Sequence, residues 1–348
     1  MRLDVVGDNL IERLIARTNI APWPIVHTQG AFTLARVLMA ATKLGIFEAL
    51  GDAPATPAEV ATACDTDPVA TEKLLFALAT CGYARQRDGG YVLSARSRRW
   101  LRRDSRRSVA DMVELQYDGW NLIAHAEDYV RTGHSVDLHE TLTGERWGVY
   151  QRGMRAMAAA LAPELAWRMP VPRGARSMLD IGGSHGYYSV AICRRRRRLH
   201  SVVLDLPQAI EHAAPLLAAE GLGGRVVHQA GDALVDDLGR ERYDLVMAVQ
   251  VVHHFTEEQN RDLTRRVARA LRPGGVFAIV EEFRPLSARR ARQLGGLLEF
   301  FFALTSRSGT WSVQELSCWQ RAAGLEPRQP IRFLTAPGVG IQAAAKPR

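Results

Sequence analysis

Lysine is nearly absent from this sequence. Only three of the 45 basic residues are lysine, so arginine carries almost all of the positive charge, and the formal net charge is +8. Five consecutive arginines occupy positions 194–198 and could in principle bind phosphates. Cations also suit the C-terminal end of a helix, where they meet the negative end of the helix dipole. We therefore expect this run to be a solvated helix end rather than a nucleic-acid site.

Cysteines and long apolar runs are scarce as well. The chain of 348 residues has four cysteines and no CxxC pair, which argues against a disulfide framework or a zinc site. We expect four reduced thiols packed as small apolar groups, and no bound metal. No apolar run approaches the roughly 18 residues that a membrane span needs. The first residues show no basic stretch followed by an apolar one, so we expect a cytoplasmic protein without a signal peptide or membrane association.

The periodicity of apolar residues changes along the chain and predicts three segments. Residues 1–105 predict short helices followed by a hairpin, which is the pattern of a winged helix, and several arginines follow it. Residues 106–170 predict helices only, which could serve as a linker and as walls of a substrate pocket. Within residues 171–348, short apolar runs alternate with helical stretches, which predicts a parallel sheet covered by helices on both faces.

A glycine-rich turn follows the first strand of the α/β segment. Gly182, Gly183 and Gly186 would let the backbone turn tightly and approach a ligand closely, directly after Asp180. A glycine-rich turn alone also suits dinucleotides. The carboxylate of Asp180 would repel a pyrophosphate, whereas S-adenosylmethionine has no phosphate and carries an ammonium and a sulfonium. The acid therefore favours S-adenosylmethionine over NAD.

Two further acids follow the next two strands. Asp205 lies 25 residues after Asp180 (205 − 180), close to the usual spacing of a carboxylate that binds ribose hydroxyls. Asp232 follows the third strand and could accept a hydrogen bond from an adenine amino group. Each acid alone could cap a helix or a turn, but three at the ends of consecutive strands point to one ligand. We assign to the same cofactor site the neighbouring residues Leu206, Gly231, Ala233 and Gln250.

Together these segments resemble the plant-type small-molecule O-methyltransferase family of caffeate- and hydroxyindole-methylating enzymes, which has bacterial members in specialised metabolism. The resemblance covers nearly the whole chain. Its matching segments are the dimerisation domain, the glycine motif, the DLP, GD and LRPGG motifs, and a histidine-acid block, at Ala31–Leu101, Asp180–Gly186, Asp205–Pro207, Gly231–Asp232, Leu271–Gly275 and Asp244–Glu258.

The resemblance implies an α/β fold with a Rossmann-like class I methyltransferase domain behind a helical, winged-helix-like dimerisation domain. It implies S-adenosylmethionine as the cofactor and a small molecule as the methyl acceptor. It also implies that residues 1–105 pair two chains and bind no DNA, and that the partner chain helps to close the substrate pocket.

Two adjacent histidines are the candidates for a general base. His253 and His254 are predicted to end the fourth strand, where successive side chains point in opposite directions, so only one would face the acceptor. The resemblance selects His253 as the base and Glu281, at the end of the fifth strand, as the acid that orients its ring. His254 stays a second candidate for the catalytic site, although we expect it to point away from the acceptor.

The sequence departs from the family pattern at three positions. Ser184 replaces a frequent glycine in the turn, His254 stands where an aspartate is common, and Thr310 occupies the place of an acid. The last two departures concern the support of the base and leave the acceptor atom open.

Large apolar residues in the predicted pocket helices suggest a flat aromatic acceptor, with Trp120, Met157 and Phe301 in contact with it. The favoured reaction is methylation of a hydroxyl. Methylation of carbon or nitrogen, or use of the cofactor without methyl transfer, remains open on the same scaffold. A nucleic-acid-binding winged-helix protein is the alternative from another class. The absence of an Asn-Pro-Pro-Tyr motif counts against methylation of bases.

Overall fold

A computed structural model describes residues 7, 9–16, 18, 20, 22–287, 289, 291, 293–306 and 308–348. Residues 1–6 of the predicted first domain lie outside this description. The chain forms two compact units, one that extends to Asp118 and one that comprises Gly119–Arg348. Within the described ranges, no helix combines the length and apolarity needed to cross a bilayer.

The first unit is helical apart from one hairpin. Its elements are α1 (Leu10–Ile15), α2 (Trp23–Ile25), a π-helical turn (Val26–Gly30), α3 (Ala31–Lys43), α4 (Ile46–Ala49), α5 (Pro57–Cys64), α6 (Pro68–Thr80), β1 (Ala84–Arg87), β2 (Gly90–Leu93), α7 (Ala95–Trp100) and α8 (Ala110–Ile123), which continues into the second unit. Local sequence explains the helix starts, since Thr56 and Glu59 form a reciprocal capping box on α5. Phe47, Leu50 and Leu75 lie in its core.

The second unit combines a large sheet with helices. Its strands are β3 (Ser177–Ile181), β4 (His200–Asp205), β5 (Val226–Ala230), β6 (Tyr243–Val249), β7 (Leu271–Glu282), β8 (Glu326–Pro327), β9 (Ile331–Arg332) and β10 (Val339–Ala345). Its helices are α9 (Ala126–Thr132), α10 (Leu138–Thr141), α11 (Glu145–Arg168), α12 (Tyr187–Arg195), α13 (Pro207–Ala218), α14 (Glu257–Ala270), α15 (Gln293–Thr305) and α16 (Val313–Ala322), with short 3-10 turns at Gly223–Arg225 and Val252–His254.

The sheet is mixed rather than wholly parallel. Its order is β5-β4-β3-β6-β7-β10-β8, with β9 paired to β10. The five predicted strands β3 to β7 are parallel, as expected, whereas β10 runs antiparallel to β7 and pairs antiparallel with β8 and β9. The predicted parallel sheet is therefore mixed at this edge, where β8, β9 and β10 are joined by short connections without a helix and return antiparallel.

Alternating side chains of the strands build one core on each face of the sheet. Leu179 and Ile181 of β3 enter one core, and Met178 enters the other. β3 pairs with β4 on one side and with β6 on the other, so the strand order reverses there. Ligands of open α/β sheets bind at such a point, beyond the carboxyl ends of the strands. The acids and histidines singled out in the sequence lie at those ends or shortly after them.

Candidate active site

The turn after β3 has no room for side chains at its glycines. Gly182 and Gly186 have φ of +61° and +69°, which favours glycine. A Cβ at Gly182 would lie 2.6 Å from a methyl group of Val251, and one at Gly183 would lie 2.5 Å from the carboxyl carbon of Asp180. The sequence predicted that these glycines let a ligand approach the backbone closely. In the structure, side chains of the protein itself pack against Gly182 and Gly183.

Asp180 lies beneath the turn and is completely buried. One carboxylate oxygen accepts a hydrogen bond from Ser189 Oγ at 2.7 Å, and the other, Oδ1, has no partner. Burial, together with the charge of Asp205, raises the pKa of Asp180 to about 7, while the Ser189 hydrogen bond opposes that rise. Asp180 therefore offers an unsatisfied buried acceptor next to the turn, which a cationic group nearby would stabilise as the ionised form.

Asp205 ends β4 and is tied to the same turn. Its Oδ2 accepts the backbone N–H of Ser184 at 2.7 Å, and its Oδ1 accepts that of Leu206 at 2.8 Å. Ser184 itself has φ of +51°, the conformation that explains why glycine is frequent there. Its hydroxyl donates to Oε1 of Gln151 on α11, and Nε2 of the fully buried Gln151 has no partner. Sequence reasoning missed Gln151, because nothing in a helix of this composition marks which face meets the turn.

The remaining predicted cofactor residues follow β5 and β6. Asp232 is part-buried and caps its own turn, since its Oδ1 accepts the backbone N–H of Leu234 at 2.8 Å. Gly231 precedes it, where a Cβ would lie 2.4 Å from an oxygen of Asp236. Gln250 directly follows β6 with φ of +53°, and its backbone N–H donates to Val280 of β7 at 2.9 Å. The positive φ turns the chain out of the strand before the histidines.

His253 and Glu281 form a buried pair. Nδ1 of His253 lies 3.2 Å and 3.1 Å from the two carboxylate oxygens of Glu281, and the two side chains are 3% and 0% exposed. The Glu281 carboxylate also accepts the backbone N–H of Val252 at 3.1 Å. The carboxylate therefore holds the proton of the imidazole on Nδ1 and leaves Nε2 as the basic nitrogen.

The histidines do not end a strand as predicted. β6 stops at Val249, and His253 and His254 lie in the following 3-10 turn. Strand alternation consequently does not apply, and the expectation that His254 points away from the acceptor loses the argument on which it rested. The two rings lie 4.2 Å apart between centroids, and His254 lies 4.6 Å from the ring of His139 on α10. His139 carried no recognisable signal in the sequence.

The proposed acceptor residues lie on three different helices. Trp120 is part-buried on α8, Met157 is 48% exposed on α11, and Phe301 is part-buried on α15. The next residue, Phe302, packs against the base, with ring centroids 4.3 Å apart from His253. Phe301 lies behind it, at 5.9 Å from the Phe302 ring. The sequence indicated an aromatic helix here, but not which aromatic ring meets the histidine.

Thr310, which stands at the place of the family acid, is itself bound to an acid. Its hydroxyl and its backbone N–H both donate to Oε2 of Glu299 on α15. Burial raises the pKa of Glu299, and the Thr310 backbone hydrogen bond opposes that shift. The neighbouring Trp311 donates its indole N–H to the carbonyl of Val252 at 3.0 Å, which supports the turn that carries the histidines.

The four cysteines differ in their exposure to solvent. All four cysteines are free, although Cys81 and Cys318 are exposed rather than packed. Among the residues that the structure describes, no group of three or more His, Cys, Asp and Glu side chains could hold a metal ion. The arginine run at 194–198 is exposed at the end of α12.

Comparison with known proteins agrees with this architecture. A family model for an O-methyltransferase domain matches residues 142–321, and one for an O-methyltransferase dimerisation domain matches residues 26–103. The chain is 27% identical over 325 residues to a 3-hydroxy-5-methyl-1-naphthoate 3-O-methyltransferase of Streptomyces sahachiroi, covering 89% of this chain and 91% of that protein. It is 26% identical over 343 residues to the N,N-dimethyltransferase OxyT of Streptomyces rimosus, covering 93% and 96%.

The structure of human N-acetylserotonin methyltransferase in complex with S-adenosylmethionine superimposes with a TM-score of 0.82 at 20% identity, covering 99% of this chain and 100% of that one. This likeness establishes the fold of a class I methyltransferase behind a dimerisation domain. The predicted fold class, cofactor and dimerisation domain are thereby confirmed. The chain belongs to the family of S-adenosylmethionine-dependent O-methyltransferases that act on small molecules and dimerise through an N-terminal domain.

Proposed function

We propose that this enzyme methylates a hydroxyl group of a small aromatic metabolite, with His253 as the general base. The observation that carries the proposal is the buried contact between His253 and both oxygens of Glu281. A histidine held in this way has one nitrogen fixed and the other free to take a proton. Such a base is needed because a phenol, with a pKa near ~10, is mostly protonated at neutral pH.

The residues around the glycine turn fit S-adenosylmethionine. The unpaired buried oxygen of Asp180 suits a neighbouring cation, and a part-buried carboxylate at Asp205 suits ribose hydroxyls. We propose that Gly182, Gly183 and Gly186 line the amino-acid part of the cofactor, that Asp205 and Leu206 hold the ribose, and that Gly231, Asp232, Ala233 and Gln250 border the adenine. When bound, the cofactor supplies a methyl group on a positively charged sulfur.

The chain's own residues would handle the proton. Nε2 of His253 accepts the proton of the acceptor hydroxyl as the oxygen becomes nucleophilic, a contribution worth about 10²–10⁴-fold. The imidazole then becomes positively charged, and the carboxylate of Glu281 stabilises that charge at close range. Since both side chains are buried, bulk water screens this interaction weakly.

Aromatic rings beside the base support a flat acceptor. Phe302 packs on His253, and Phe301 contacts Phe302. Aromatic rings stack favourably on one another, so this wall suits an aromatic ring better than a flexible chain. We propose Trp120, Met157 and Phe301 as further contacts of the acceptor. The naphthoate that gives the Streptomyces sahachiroi relative its name is an acceptor of this class.

The test is incubation with isotopically labelled cofactor and a panel of phenols, amines and keto acids, read by mass. We expect transfer to a phenolic oxygen, and His253→Ala should lower turnover by about 10²–10⁴-fold with unchanged cofactor affinity. His200→Ala is the matched control, because His200 is exposed at the opposite end of β4. Transfer only to an amine, as the name of OxyT describes for that protein, would contradict the proposal.

We further propose that the enzyme works in the cytoplasm and binds no nucleic acid. Several of the arginines that follow the hairpin of the first unit form ion pairs with nearby acids, for example Arg98 with Asp52 at 2.6 Å and Arg102 with Asp104 at 2.6 Å. Such pairing lowers the positive charge available to phosphates. Purified protein should show the same ratio of absorbance at 260 and 280 nm before and after nuclease treatment; a fall after treatment would contradict this.

A further inference from the structure

The two adjacent imidazoles differ in how their nitrogens are occupied. Nδ1 of His253 faces Glu281, which leaves Nε2 of that ring without a proton. Nδ1 of His254 is enclosed and has no hydrogen-bonding partner. The His254 side chain is nevertheless only part-buried. Since only Nδ1 is enclosed without a partner, we infer that the ring edge bearing Nε2 is the accessible one.

The enclosure of Nδ1 determines which tautomer of His254 is favoured. A buried N–H without an acceptor costs the desolvation of a donor, and orphaned buried N–H groups are rare in proteins. A neutral His254 consequently keeps its proton on Nε2. Burial, and then the neighbouring imidazoles of His253 and His139, lower the pKa of His254 well below its usual range. His254 thus acts as a neutral hydrogen-bond donor beside a basic nitrogen.

Building on the proposed function, we propose that His254 donates its Nε2–H to a carbonyl oxygen of the acceptor, placed ortho to the hydroxyl that is methylated. The reacting hydroxyl gives its proton to His253, and the neighbouring carbonyl receives a hydrogen bond from His254. The ring centroids lie 4.2 Å apart, so the two imidazoles are close enough to meet substituents on adjacent ring carbons of one aromatic acceptor. A neutral donor favours a carbonyl over a carboxylate, because a carboxylate would gain more from a charged partner.

His139 holds His254 in this orientation. Its ring meets that of His254 edge-on, with an interplanar angle of 71°. Nε2 of His139 lies 3.0 Å from the hydroxyl of Tyr150, and Nδ1 lies 3.5 Å from a carboxylate oxygen of Asp137. Burial raises the pKa of Tyr150, and the charges of Asp205 and Asp137 add to the rise. Tyr150 therefore stays protonated, and the hydrogen bond between its hydroxyl and Nε2 of His139 ties the two side chains together.

Two positional isomers test the proposal with the intact homodimer. 2-Hydroxyacetophenone carries its carbonyl ortho to the hydroxyl, and 4-hydroxyacetophenone carries the same groups apart. Their dissociation constants are measured by titration calorimetry with S-adenosylhomocysteine present, and KM and kcat are measured with S-adenosylmethionine. His254→Gln keeps an N–H donor at a similar distance from the backbone, whereas His254→Met has a similar length and no donor. His200→Met is the control at an exposed histidine.

We expect His254→Met to reduce the preference for the ortho isomer by about tenfold, the usual effect of one hydrogen bond, and mainly in the dissociation constant and KM. His254→Gln and His200→Met should keep most of the preference. An unchanged preference in His254→Met, or an equal loss in His254→Gln, would overturn the proposal, as would the failure of both isomers to bind. Ortho-selective binding without methyl transfer would sustain the inference and contradict the proposed function instead.

Discussion

Both carboxylate oxygens of Glu281 lie within 3.2 Å of Nδ1 of His253. The two residues are 28 positions apart and come from different elements, the end of strand β7 and the 3-10 turn after β6. β6 and β7 are parallel neighbours, with Val249 paired to Val280. Their carboxyl ends therefore emerge side by side, which is what brings an acid next to a base that follows the adjacent strand.

The first prediction concerns that pair. Glu281→Gln replaces a carboxylate with an amide of the same shape, which can donate to Nδ1 and so shift the imidazole proton to Nε2. The base would then be in the wrong tautomer and its charged form would lose its counter-ion, so turnover should fall by about 10²–10⁴-fold. Steady-state kinetics with a phenolic acceptor measures this. Glu282→Gln is the control at the adjacent acid of β7, whose side chain points to the opposite face of the strand, and a similar loss there would refute the role of Glu281.

The second prediction concerns the turn after β3. A Cβ at Gly183 would lie 2.5 Å from the carboxyl carbon of Asp180 and 2.7 Å from a methyl carbon of Val203. Both neighbours are buried and have little room to move, so Gly183→Ala should destabilise the fold by about 1–3 kcal/mol. Cofactor affinity should fall with it. Thermal unfolding and calorimetry measure both effects. Gly224→Ala, where nothing lies within 4 Å of the added carbon, should change neither.

The third prediction concerns Asp205. A hydrogen bond to a charged group contributes about 1.5–3 kcal/mol, so removing the carboxylate that accepts it should lower the binding free energy by about that amount. Asp205→Ala should therefore weaken S-adenosylhomocysteine binding by about that amount in calorimetry. Because Asp205 also accepts the N–H of Ser184, Asp205→Asn, which retains an acceptor oxygen, should recover part of the loss. Unchanged affinity in Asp205→Ala would remove this residue from the cofactor site.

The positions of the five parallel strands and of the acids near their ends could be predicted from sequence, because both depend on local patterns. Short continuous apolar runs identify strands that are buried on both faces of a sheet, and a glycine turn before a helix identifies the first crossover. Gln151 and His139 could not be predicted in this way. Their contacts depend on the rotation of α11 and on the placement of α10, which only tertiary packing determines.

The error at His254 has a similar cause. The prediction treated it as a strand residue, whereas the positive φ of Gln250 ends β6 before the histidines. A single backbone angle outside the usual range cannot be inferred from composition. Likewise, size alone suggested Phe301 as a pocket residue, but the phase of α15 places Phe302 on the base.

The fourth prediction concerns the dimerisation domain. Three apolar side chains of the first unit are exposed in a single chain, Ile25 by 57%, Phe32 by 49% and Leu34 by 38%. Several exposed apolar residues within one short segment are typical of a protein–protein interface. We expect them to be covered by the partner chain. Phe32→Arg would place a charge in that apolar contact and should shift the dimer towards monomer in light scattering at micromolar concentration. Val235→Arg, at a residue that is 76% exposed on the second unit, should leave the dimer intact.

The last prediction concerns pH and Asp180. In the free protein its pKa is raised to about 7, chiefly by burial, against about 3.9 in an unfolded chain. Between these values the folded state binds a proton that the unfolded state has lost. The contribution of Asp180 to stability is thus present at low pH and is lost as pH rises towards 7.

A bound cation reverses the preference of Asp180 for its protonated form, because the cation favours the ionised carboxylate. Cofactor binding must therefore release this proton below pH 7. Affinity for S-adenosylhomocysteine should accordingly rise from pH 5.5 to about pH 7 and then level off, by up to about tenfold per pH unit. Asp180→Asn should bind more weakly above pH 7 and show a flatter profile, while its thermal stability without ligand should fall less between pH 5 and 7 than that of the wild type. Parallel affinity profiles for the two proteins would show that Asp180 does not titrate when the cofactor binds.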